Sequence, residues 1–83
     1  MRGAVEEVNE SRAVLYVRCA DGTFTYLRVE PGALPKVGDV LAWPDRLPPH
    51  GATLVNESEG SRSFRAASAI VRLPREVAQA LIR

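Results

Sequence analysis

Residues 13–30, AVLYVRCADGTFTYLRVE, decide the fold because they contain two β-rich runs joined at Asp21-Gly22. Asp-Gly between such runs is a strong signal for a β-hairpin, since glycine adopts a positive φ without steric cost. The sequence therefore predicts two antiparallel strands that meet in a tight turn at these two residues.

The length of the hairpin loop determines which side chains share a face. A two-residue turn, which pairs Ala20 with Thr23, places an arginine among the core candidates on both faces. A three-residue loop with Gly22 in a bulge separates the two kinds of side chain, and we favour it because one face is then buried without arginine. The aliphatic face would hold Ala13, Leu15, Val17, Cys19, Thr25, Leu27 and Val29, and the opposite face Tyr16, Arg18, Phe24, Tyr26 and Arg28.

A strand is predicted before the hairpin and a break after it. Residues 3–9 form the strand, and the three-residue spacing of Val5 and Val8 indicates either a bulge or an early end of the strand. Prolines within residues 31–35 end the sheet, because proline has no N–H to donate to a ladder. Leu34 is expected to plug one end of the core.

The second half of the chain adds strands at 40–43 and 52–56. Residues 63–72 fit either a strand or a helix, and the β-branched pair Ile70-Val71 favours a strand. Pro74 suits the first position of a helix over residues 74–82. The apolar stripe of that helix, which must dock on the barrel, consists of Val77, Ala78, Leu81 and Ile82.

Length and composition indicate a single domain. The 83 residues, 46% of them hydrophobic, suffice for one small core. Short strands with tight turns and one terminal helix predict a mainly β fold, a small five- to six-stranded antiparallel barrel (OB-like or SH3-like) with a short C-terminal α-helix. The domain spans residues 1–83, with the barrel at about 3–72 and the helix at about 74–82.

Charge and cysteine content narrow the class of function. The formal net charge of +1 is a weak electrostatic signature for nucleic-acid binding, although residues 61–83 carry five arginines and one glutamate. Cys19 is the only cysteine, and no apolar leader or membrane-length apolar run is present. We therefore expect a cytoplasmic protein with no membrane partner.

Several short motifs follow one another along the chain, namely Gly3-x-Val5, Val8-Asn9, Asp21-Gly22, Leu34, Val37-Gly38-Asp39-Val40, Ala66-Ala67-Ser68 and Val71-Arg72-Leu73. In outline they resemble the cold-shock and related OB-fold nucleic-acid-binding domains over residues 3–73. The places of that family's two RNA-binding motifs are held here by residues 13–17, with one ring, and 24–27, with two. The resemblance implies a barrel that binds single-stranded nucleic acid.

One face of the hairpin is the candidate site. Rings interleaved with guanidinium groups suit single-stranded RNA or DNA, because bases stack on rings and phosphates pair with arginine. The same residues also form ordinary cross-strand pairs, and the C-terminal helix is a candidate cover for this face. The predicted nucleic-acid-binding residues are Tyr16, Arg18, Phe24, Tyr26, Arg28, Arg62, Arg65 and Arg72.

A protein-interaction module or a small homodimer is the alternative. In that case the apolar stripe of the tail and the hairpin rings would bury against a partner protein or a second copy. Enzymatic activity is not expected, because no nucleophile, base and orienting group converge by spacing.

Three single residues are expected to have no part in a catalytic or binding site, and no cofactor or metal site is predicted. His50, the only histidine, is expected to be a solvated loop residue. Cys19 is expected to be a small buried hydrophobe, and Trp43 a ring in the core or at the barrel mouth.

Overall fold

The computed structural model describes residues 1–30, 32, 34–44, 46–47 and 51–83. Within these ranges a 3-10 turn at Glu57–Glu59 and one helix, α1, accompany six strands. The bounds are β1 Arg2–Asn9, β2 Val14–Cys19, β3 Phe24–Val29, β4 Val40–Ala42, β5 Ala52–Asn56, β6 Arg62–Leu73 and α1 Arg75–Ile82.

The strands close into an antiparallel barrel in the order β1-β2-β3-β6-β5-β4, with β4 returning beside β1. This return after three hairpin-connected strands is a Greek-key connection. The structure thus confirms the mainly β class, the six-stranded barrel and the terminal helix. Of the two alternatives for β1, the bulge is present, because the register with β2 shifts between Val5 and Glu7. At that bulge Gly38 donates its N–H to Val5 O at 2.8 Å.

The hairpin has the three-residue loop that the sequence favours. Leu15 lies opposite Leu27, and Tyr16 opposite Tyr26. Gly22, at φ +85°, donates its N–H to Cys19 O at 3.0 Å, which closes the loop. The predicted separation of an aliphatic face from an aromatic and arginine face is therefore confirmed.

The aliphatic face fills the barrel. Leu15, Val17 and Leu27 have no exposed surface, and Cys19 and Trp43 are buried beside them. Leu34 is partly buried and packs against this cluster, as its predicted plugging role requires. The expectations for Cys19 and Trp43 as buried core residues are confirmed.

The prediction that the hairpin rings are exposed is wrong. Tyr16 and Phe24 are each 3% exposed and Tyr26 is 6% exposed. They form a second apolar cluster with Ala78 and Ile82 of α1, so the helix covers this face. The physical reason is proximity: β6 pairs with β3 up to Leu73, which places the apolar stripe of the following helix on the outer face of β2 and β3.

Polar contacts fix α1 at both ends. Arg75 Nη1 lies 2.9 Å from Glu6 Oε2, and its guanidinium lies 4.7 Å from the centroid of the Phe24 ring. At the other end Asn9 Nδ2 donates to Ile82 O at 2.8 Å, and Arg12 donates to Leu81 O at 3.0 Å. Backbone carbonyls left free at a helix C-terminus therefore find partners on the β1–β2 connection.

Two details of the tail differ from the sequence-based expectation. Pro74 precedes the helix as its N-cap, in an extended conformation with ψ 160°, instead of occupying the first helical position. Of the four stripe residues, Ala78 and Ile82 are buried and Leu81 is partly buried, whereas Val77 remains 41% exposed.

Residues 62–73 are a strand, which settles the choice left open for 63–72 in favour of the strand. The register of β6 against β3 shifts twice, between Phe24 and Tyr26 and between Arg28 and Val29. Near the first shift Arg72 has φ +59°, a left-handed conformation typical of a bulge residue. The pairing with β5, along the opposite edge of β6, has no such shift and covers Arg62 to Ala66.

Because Tyr16 is buried, its ionisation makes the stability of the fold depend on pH. Desolvation raises the pKa of Tyr16 above its ordinary value of 10.0, and the neighbouring Glu7 carboxylate raises it further. The native state then holds the phenol proton of Tyr16 more tightly than the unfolded chain does. The resulting contribution to the free energy of unfolding is complete below the pKa of the unfolded state and is lost as pH rises through the raised pKa of the native state. We expect the urea midpoint to fall more steeply above pH 10 in the wild type than in Tyr16→Phe, whereas equal slopes would contradict the burial of this hydroxyl.

Candidate functional site

The predicted nucleic-acid-binding residues do not form one surface. The three rings are buried under α1, and Arg18 Nε lies 3.6 Å from Glu6 Oε1 at the border of the covered face. Arg28 is exposed on β3. Arg62 and Arg65 line one cavity, whereas Arg72 lines another.

The cavity at Arg62 and Arg65, here called the β6 groove, has a volume of about 520 Å³. Four consecutive residues of β6, numbers 62–65, line it. Because these residues are consecutive, the cavity follows the strand along its length. Glu30, Gly32 and Leu34 line it from the segment after β3, Thr53 and Asn56 from β5, and Glu59 from the 3-10 turn.

Over its first four residues this edge of β6 pairs with no strand of the part of the chain that the structure describes. On one side β6 pairs with β5 from Arg62 to Ala66, but on the other side β3 begins to pair only at Ala66. Within the described part of the chain, no backbone hydrogen bond joins residues 62–65 to the segment after β3. Since successive residues of an antiparallel strand direct their N–H and C=O groups to alternate sides, half of these groups face the groove.

The floor of the groove is apolar and its rim is charged. Phe64 is 8% exposed, and the partly buried Leu34 also lines the groove. Around them stand Glu30, Glu59 and the two arginines, all exposed. No ion pair engages these four side chains within the described ranges. The groove therefore offers two apolar side chains, charges of both signs and backbone groups that have no strand partner among the described residues.

Asn56 has a structural role at the closed end of this groove. It is 5% exposed, its Nδ2 donates to Asp39 Oδ2 at 2.8 Å, and its Oδ1 accepts from Ser58 N–H at 3.1 Å. Both polar ends of the side chain are thus occupied. Asn56 fixes the β5–β6 connection to the turn before β4 and is not available to a ligand.

A second cavity, of about 490 Å³, lies at the other opening of the barrel. Cys19, Thr25 and Trp43 line it together with Arg46 and Arg72. Cys19 Sγ lies 3.4 Å from Thr25 Oγ1, with either group able to donate. The cysteine has a hydroxyl partner and is buried, which suits a packing role better than a reactive one.

The structure tests the remaining site expectations only in part. His50 lies outside the described residues, so its solvated loop position stays a prediction. The described residues contain no group of three or more histidine, cysteine or carboxylate side chains that could hold a metal ion. In the same residues no helix is long and apolar enough to cross a membrane.

Sequence reasoning found Arg62 and Arg65 but missed the groove between them. The missing partners are Glu30, Leu34, Glu59 and Phe64. The length of the β-rich run at 62–73 was the available signal, because a strand of 12 residues exceeds both of its neighbours, of five and six residues. A strand that is longer than both neighbours pairs with a different neighbour at each end. Part of one of its edges is then left open.

Comparison with protein-family models, with curated proteins and with solved structures finds no match to the chain.

Proposed function

We propose that this chain is a non-enzymatic protein-interaction module, which binds an extended segment of a partner protein along the open edge of β6. The observation that carries the proposal is the edge of residues 62–65, which pairs with no strand within the described ranges and lies along a cavity of about 520 Å³. An unpaired edge is a template for an added strand, whose backbone supplies the missing hydrogen bonds.

The charge of the groove favours a peptide over a polyanion. Glu30 and Glu59 balance Arg62 and Arg65, whereas a phosphate-binding channel carries an excess of positive charge. The burial of Tyr16, Phe24 and Tyr26 also removes the stacking platform on which the nucleic-acid prediction depended. A polypeptide supplies both charge signs and the backbone groups that the edge lacks.

The test is a titration of ¹⁵N-labelled protein with a capped, extended, valine-rich hexapeptide, followed by amide chemical shifts. We expect the largest shifts at residues 62–65 and at Gly32. Two control peptides carry N-methyl groups at odd or at even positions. Because a strand directs alternate N–H groups to the edge, one N-methyl pattern should abolish the shifts and the other should leave them. Equal binding of both patterns, or shifts elsewhere, would contradict strand addition.

Single-stranded nucleic acid is the second candidate ligand, and the exposed arginines favour it. Arg28, Arg62 and Arg65 are exposed, and no carboxylate pairs with them in the described ranges. Titration with labelled oligothymidylate at two salt concentrations tests this function, because phosphate contacts require the affinity to fall as salt rises. No binding at micromolar protein would reject it. Sedimentation equilibrium of the protein alone shows whether the partner is a second copy.

A further inference from the structure

We draw no further inference here: the strongest candidate, the apolar patch that Ile70 of β6 and Val77 of α1 leave exposed beside the covered face of the hairpin, carries none because nothing in the described part of the chain shows what covers it.

Discussion

Replacement of Leu27 by alanine is expected to lower the free energy of unfolding by about 3 kcal/mol, within the range found for buried leucines. Leu27 has no exposed surface and lies opposite Leu15 in the centre of the barrel. Alanine removes apolar contacts and leaves a cavity. A closed ring of hydrogen-bonded strands has little freedom to collapse around that cavity, so the cost should stay clear of the lower limit of about 2 kcal/mol.

The measurement is urea denaturation followed by the emission of Trp43, which belongs to the same apolar cluster as Leu27. A core of this size supplies only about 3–5 kcal/mol of net stability, so the variant should keep at most about 2 kcal/mol and unfold at a urea concentration close to zero. Val77→Ala is the control, because Val77 is 41% exposed, and it should cost less than about 1 kcal/mol. A loss near that of the control would contradict a tightly packed barrel core.

The hairpin register could be predicted from sequence because the information is local. Only a three-residue loop gives one face of the hairpin free of arginine, and that face is the one the barrel buries. The fate of the opposite face depends on distant residues. The helix that covers Tyr16 contributes Ala78 and Ile82, and its position is set by the pairing of β3 with β6, whose paired residues are 37 to 49 apart along the chain.

The open edge of β6 was harder to predict for a related reason. Its extent depends on which residue of β6 lies opposite the end of β3, and the two register shifts move that residue from Ser68 to Ala66. One of these lies near Arg72, a residue type that seldom adopts a left-handed conformation, so no glycine marks the position in the sequence. The strand itself could be recognised from its β-branched and apolar residues, but which part of it pairs with β5 and which part with β3 could not.

The helix and the barrel form separate apolar clusters, and Ala78→Asp should separate them physically. Ala78 has no exposed surface and packs with Tyr16, Phe24 and Tyr26. A carboxylate buried there without a partner would cost several kcal/mol, more than the docking of an eight-residue helix is expected to contribute. We therefore expect α1 to detach while the strands stay closed around the barrel core.

Two intrinsic probes distinguish the clusters. Trp43 belongs to the barrel core and should keep its emission in Ala78→Asp, whereas Tyr16 and Tyr26 should become accessible to a soluble quencher. Ala80→Asp is the matched control, because position 80 lies on the exposed side of the same helix and should leave both signals unchanged. If the emission of Trp43 changed together with the quencher accessibility of the tyrosines in Ala78→Asp, this would instead show that helix and barrel unfold as one cooperative unit.

The same variant tests the hairpin face as a binding surface. Detachment of α1 would uncover the three rings beside Arg18 and Arg28, the arrangement that the sequence favours for single-stranded nucleic acid. Oligothymidylate should then bind Ala78→Asp in a salt-dependent manner if stacking on these rings contributes, and Ala80→Asp should behave as the wild type. Equal affinities in the two variants would show that the rings are structural residues of the second cluster, and that nucleic-acid binding, where it occurs, depends on the arginines alone.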